Sequence, residues 1–99
     1  MDFGTGSGIL AMFSVIAGAN KVYAIEASDA VNYAKTLFNF HGMDNKVWIL
    51  SNKVILINHK IEDINTNDIE KVDTIVSEPL GIMLINERML EGYLLARDK

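Results

Sequence analysis

The sequence predicts an α/β fold in which a parallel sheet carries helices on both faces. Three observations predict it. Short apolar runs rich in β-branched residues recur as strand-length segments, at Lys21 to Ile25, Val47 to Leu50, Val54 to Ile57 and Val72 to Val76. Segments of helical composition and spacing alternate with them, at Ile9 to Ala17, from Ser28 or Asp29 to about Phe40, and from about Ile85 or Asn86 to Ala96. A glycine-rich turn, Gly4-Thr5-Gly6-Ser7-Gly8, joins the first strand to the first helix. Strands that alternate with helices form a parallel sheet, because each connection has to cross a face of the sheet before the chain can re-enter it.

Met1 to Phe3 reads as the end of a buried strand. A Rossmann-type first strand has about five or six residues before its glycine turn, so the chain is expected to begin inside its own fold, with this strand truncated. From Ile9 to Ala17 the apolar residues Ile9, Leu10, Met12, Phe13, Val15 and Ile16 occupy more than one helical face, as in a helix wedged between a sheet and other elements. Gly18 caps its C-terminus. Lys21 to Ile25 is the second strand and ends at Glu26, after which Ser28 or Asp29 is the N-cap of the second helix. The third strand is either Val47 to Leu50 or Val54 to Ile57. Asn45-Lys46-Val47 recurs as Asn52-Lys53-Val54, and this echo leaves the register of the third strand open. Asn65 to Lys71 is polar, a connecting loop or short helical turn. Val72 to Val76 is a further strand, stopped by Ser77-Glu78-Pro79. The last helix carries Met89, Leu90, Tyr93 and Leu94 at helical spacing.

At 99 residues and 49% hydrophobic composition the chain has room for one small domain and is not disordered. A net charge of −4 argues against a general nucleic-acid binder, which carries clustered Lys and Arg, and suits a basic substrate better. The absence of cysteine excludes disulfides and thiolate metal sites. The longest apolar stretch, Gly8 to Ala19, is not read as a secretion signal or a membrane span. No basic residue precedes Lys21, Asp2 is acidic where a signal needs positive charge, and the run falls short of the roughly 18 to 20 residues that cross a bilayer. A soluble intracellular protein is expected.

The glycines at 4, 6 and 8 allow a tight turn and close approach of the backbone to a ligand, while the following helix offers unpaired amides and its positive end. The spacing G-x-G-x-G differs from the dinucleotide fingerprint, which needs glycine where Ile9 stands. Glu26 closes the second strand 22 residues beyond Gly4, the offset at which an acidic residue accepts hydrogen bonds from ribose hydroxyls. Glu78 and Glu87 flank the turn set by Pro79 and Gly81. Two carboxylates aimed into one pocket match a guanidinium, whose planar fork of N–H donors pairs with them in bidentate fashion. With 13 acidic residues in the chain, spacing alone does not separate such a pair from solvated surface charge. His41 and His59 read as surface or loop histidines, and Trp48 and the five methionines as core packing.

Four blocks supply the context that spacing lacks: Asp2-Phe3-Gly4-Thr5-Gly6-Ser7-Gly8, Val22-Tyr23-Ala24-Ile25-Glu26-Ala27-Ser28, Ser77-Glu78-Pro79-Leu80-Gly81 and Asn86-Glu87-Arg88-Met89-Leu90-Glu91. Together they resemble the protein arginine methyltransferases, and the last block is most similar to the coactivator-associated (histone) branch. The resemblance implies a Rossmann-like, class I S-adenosylmethionine-dependent methyltransferase fold, truncated here to part of the cofactor-binding domain over residues 1–99. It implies S-adenosylmethionine as cofactor, with Asp2 among its binding residues, the loop around Gly4 and Gly6 beside its methionine part, Glu26 at the ribose and Glu62 at the adenine. It implies Glu78 and Glu87 as the catalytic pair that grips the substrate arginine, with no metal. Expected partners are proteins with exposed arginines, histones among them, in nucleus and cytoplasm, without direct nucleic-acid or membrane contact. The longer enzyme that the resemblance implies is a homodimer and also has an N-terminal helix, a Thr-His-Trp loop, a β-barrel and a dimerisation arm.

Ile82 stands where that family's double-glutamate loop has tyrosine, and Gly92 where it has a serine that contacts adenine. The segment Asn45 to Asn58 is about seven residues longer than the family pattern, one period of the Asn-Lys-Val echo. Two other readings remain open on sequence alone: the same cofactor with a non-arginine acceptor, and a catalytically inert or interaction fragment.

Overall fold

A computed structural model describes residues 1–42, 53–79 and 89–99. Along the chain run β1 (Asp2–Phe3), α1 (Ile9–Ile16), β2 (Val22–Ile25), α2 (Val31–Gly42), β3 (Val54–Ile57), a single 3-10 turn (Ile61–Asp63) and α3 (Met89–Asp98). The three strands form one parallel sheet in the order β1-β2-β3. Asp2 faces Ala24 across the first pair, and Val22 faces Val54 across the second. Val54 to Ile57 is therefore the third strand. Val47 to Leu50, the other candidate, lies outside the described residues, as do Trp48 and the residues expected to open the last helix.

The expected strand at Val72 to Val76 is reduced to a single parallel bridge between Val76 and Asp2. The reason lies in β1, which contributes only two residues to the ladder. Phe3 donates its amide to the Val76 carbonyl at 3.0 Å and Val76 donates to the Met1 carbonyl at 2.8 Å. The Met1 ammonium also donates to the Thr74 carbonyl, at 2.8 Å.

Period-two alternation distributes the strand side chains between two cores. Val22, Ala24, Val54 and Leu56 meet Ala11 and Val15 of α1 and Phe38 of α2 on one face. Phe3, Ile25 and Ile57 meet Ile61, Ile64, Met89, Tyr93 and Ala96 on the other. Helices thus cover both faces, and β2, flanked by a strand on each side, buries all four of its residues. Helix α1 ends as its composition predicts: Ala17 is the C-cap and Gly18, at φ +107°, donates its amide to the Val15 carbonyl. Its second apolar face, Ile9, Phe13 and Ile16, is exposed rather than wedged against another described element. On α3 the pattern splits the same way, with Met89 and Tyr93 against the core and Leu90 and Leu94 exposed.

Candidate functional site

The site forms at the carboxyl ends of the strands, where β1 runs into the glycine turn. Gly4 and Thr5 both donate their amides to the Ile25 carbonyl, each at 2.9 Å, which ties the turn to the end of β2. The turn's backbone is left-handed at Gly6, with φ +54°, and a Cβ built there would meet nothing within 4 Å. Gly6 therefore presents bare backbone to open space, the property a ligand cradle needs. Gly8 is the N-cap of α1 and supplies no side-chain cap to the first helical amides.

Glu26 is the hub of this region. Its Oε2 accepts the Gly6 amide at 2.8 Å, and its Oε1 accepts the amide and hydroxyl of Ser28 at 2.9 and 2.8 Å. Partial burial pushes its carboxyl upward, but the hydrogen bonds from Ser28, Gly6 and Ala27 outweigh burial and hold it below its ordinary range. It stays ionised and fixed in direction. Asn58, just beyond β3, donates to the Glu26 carbonyl at 2.8 Å and locks the same turn. The Ser28 hydroxyl also accepts the Ala30 amide at 3.2 Å, in the turn just before α2, so Ser28 orders that turn while orienting Glu26 and the helix itself starts later than expected, at Val31.

A cleft of about 310 Å³ opens beside this hub. It brings together Gly4, Glu26 and Glu62, three of the five residues expected to bind the cofactor. Glu62 is carried by the 3-10 turn, whose position is set from two sides. Ile61 and Ile64 anchor it in the core, and the Lys99 ammonium donates to the carbonyls of Ile61, Glu62 and Ile64 at 3.0, 3.2 and 2.6 Å.

Asp2 lies beneath the glycine turn, fully buried, and does not line the cleft. Its Oδ2 accepts the Thr5 hydroxyl across the turn, while its Oδ1 has no hydrogen-bond partner among the described residues. Burial pushes this carboxyl up, against the pull of the Thr5 hydroxyl and the Ala11 amide.

Glu78 emerges at the same edge of the sheet. The hydroxyl of its neighbour Ser77 donates to the Phe3 carbonyl at 2.7 Å, which fixes the chain beside the start of the glycine turn. Glu78 is exposed and does not line the cleft. Glu87 and Ile82 lie outside the described residues, so the pairing expected of the two glutamates does as well.

Eight cleft residues were not singled out as site residues on the sequence: Phe3, Ile25, Ala27, His59, Lys60, Ile61, Met89 and Glu91. His59 and Lys60 reach the cleft because β3 ends beside Glu26, a neighbourhood created by strand pairing and invisible in chain order. Gly92, marked on the sequence as the position where the resembled family has an adenine-contacting serine, also lines the cleft.

The family model described as ribosomal protein L11 methyltransferase (PrmA) matches residues 1–87. The probable histone-arginine methyltransferase 1.4 of Arabidopsis thaliana is 46% identical over 99 residues, 100% of this chain and 17% of that protein. The probable histone-arginine methyltransferase CARMER of Drosophila melanogaster is 50% identical over 97 residues, 98% of this chain and 17% of that protein. Among solved structures, the Trypanosoma brucei PRMT1 enzyme-prozyme heterotetrameric complex with AdoHcy matches with a TM-score of 0.83 at 37% identity, over 99% of this chain and 28% of that one. The chain therefore spans 17% of the length of these curated relatives. With its parallel sheet, its glycine turn and these matches, the chain belongs to the methyltransferase family that the matching model describes, and its sequence is similar to that of protein arginine methyltransferases.

Proposed function

We propose that this chain forms part of the S-adenosylmethionine-binding domain of a protein arginine N-methyltransferase that modifies histones and other proteins with exposed arginines, in the nucleus and cytoplasm. The observation that carries the reading is the Glu26 carboxylate, ionised and aimed by the Gly6 and Ser28 amides into a cleft shared with Gly4 and Glu62. The residues fit the cofactor. Glu26 has one acceptor site left, on Oε2, for a ribose hydroxyl, and the open backbone at Gly6 suits the amino-acid part. Glu62 serves the base. The relative solved with AdoHcy, the demethylated form of this cofactor, supports the assignment.

When bound, S-adenosylmethionine supplies an electrophilic methyl group on a sulfonium. The chain's part is to hold the acceptor. A guanidinium is a poor nucleophile, since its lone pairs are delocalised, and it keeps its proton throughout the physiological pH range. Glu78 and Glu87 together bias its charge toward the nitrogens they bind and leave a terminal nitrogen free to attack. Positioning of this kind is worth roughly 7 to 11 kcal/mol, and fixed carboxylates add an electrostatic share. The working enzyme is a homodimer in this reading, and the type I (asymmetric) product follows from the family branch.

Calorimetric titration with S-adenosylhomocysteine tests the cofactor assignment. Binding by the wild type, weakened at least tenfold in Glu26→Gln, is expected; heat-silent titration of a folded wild-type chain would falsify it. Glu87→Gln tests the acceptor. An arginine-directed site loses nearly all methyl transfer to an arginine peptide but keeps S-adenosylhomocysteine affinity, whereas retained transfer means a different acceptor group.

A further inference from the structure

Gly92 sits inside α3, lines the cleft and has no left-handed backbone to excuse it; the described glycines with positive φ are 4, 6, 8 and 18. Glycine in a helix interior is destabilising relative to alanine, so something other than the backbone requires it here. The reason is spatial. A Cβ at Gly92 would lie 2.6 Å from Cζ and 3.1 Å from Cε1 of Phe3, with Cγ2 of Ile61 at 3.5 Å. Phe3 has little freedom to withdraw. It is the last residue of β1, 8% exposed, and is gripped by Ile25, Ile61, Ile64 and Ala96. The ring tip fills the volume that a side chain from α3 would otherwise occupy, and Phe3 itself lines the cleft.

On the cofactor reading above, we infer that Phe3 is a specificity-determining contact residue: its ring, made possible by Gly92, is the apolar wall against which the planar base of the nucleoside lies. Position 92 then contributes no polar atom to the ligand. Ile25, Ile61 and Met89 extend the apolar lining of the cleft, and polar recognition falls to Glu62. An aromatic ring at the wall favours a flat, polarisable base, since ring pairs in offset or edge-to-face contact gain beyond simple area burial.

The direct test uses the wild-type chain saturated with S-adenosylhomocysteine. Intermolecular NOEs between the Phe3 ring protons and the adenine H2 or H8 are expected, and their absence from a saturated complex overturns the contact. A double-mutant cycle tests the steric half through thermal unfolding, which needs no ligand. Gly92→Ala lowers Tm despite its better helix propensity, and Phe3→Leu, which retracts the ring tip while keeping most of the core volume, recovers it in the double variant. A higher Tm for Gly92→Ala in the presence of Phe3 overturns the pairing. In calorimetry Phe3→Leu weakens S-adenosylhomocysteine about fivefold or more; unchanged affinity sinks the inference and leaves the cofactor assignment standing. A folded wild type that binds no S-adenosylhomocysteine overturns that assignment and the ligand role of Phe3 together, while the Tm cycle still judges the packing.

Discussion

Two carboxylates on either side of the glycine turn show how position alone divides one chemical group into two behaviours. Glu26 is held ionised by donors that outweigh burial, and Asp2, buried with one oxygen unpartnered, is pushed toward its neutral form. Their links to stability have opposite signs. For Glu26 the folded pKa is depressed, so its contribution is present above the unfolded value and is lost as pH falls through the folded one. For Asp2 the folded pKa is raised, so stability is greatest when both states are protonated and declines as pH rises from the unfolded value toward the folded one. Asp2→Asn keeps the shape and an acceptor for the Thr5 hydroxyl but cannot ionise. Relative to the wild type it therefore gains stability between pH 4 and pH 7, which urea denaturation at the two pH values measures. A difference that does not change with pH would mean that Asp2 titrates alike in both states. For Glu26→Gln the corresponding change runs the other way, with the variant losing ground on the wild type as pH rises from the acid range to neutrality.

At the level of elements, the strands were legible wherever β-branched runs met a complete pairing partner. Val22 to Ile25 was read to within a residue of its limits, and Val54 to Ile57 was read as one of two candidates, which parallel pairing with β2 selects. Val72 to Val76 has the same composition but finds only two residues of β1 beside it, and composition carries no record of its neighbour's length. The cleft divides similarly. Gly4 and Glu26 were legible because the motif spacing and the family resemblance both mark them, and Glu62 through the resemblance alone. Phe3 and His59 were not, since an apolar residue at a strand end reads as core and a loop histidine as surface. The turn itself makes a sharp prediction at Gly8. Its φ of +86° is in the left-handed region, and an added Cβ would fall 2.4 Å from Cζ of Phe38 on α2. Gly8→Ala therefore combines a backbone cost of about 1–2 kcal/mol with an overpacking cost of about 1–3 kcal/mol. Chemical denaturation should show a loss near the sum, and adding Phe38→Leu should return only the overpacking share. Full recovery in the double variant would mean that the backbone at position 8 is unstrained.

The whole molecule is a sheet with two covered faces and an outer surface that is less polar than its charge suggests. Helix α1 buries Ala11, Met12 and Val15 against the sheet and turns Ile9, Phe13 and Ile16 outward, with Phe13 57% and Ile16 73% exposed. These three positions, spaced four and three apart, form one continuous stripe along the helix. Scattered apolar residues on a surface need no explanation, but a contiguous stripe promotes association. The net charge of −4 opposes such association only weakly at physiological ionic strength, where the Debye length is about 8 Å. Ile16→Lys separates the two contributions. Because Ile16 touches little of the core, its replacement should change unfolding stability by no more than about 0.5 kcal/mol, as for other surface positions. The same substitution interrupts the stripe and should suppress the rise in apparent mass with concentration measured by light scattering. If instead the variant unfolds readily while the mass profile is unchanged, Ile16 belongs to the core and the stripe plays no part in association.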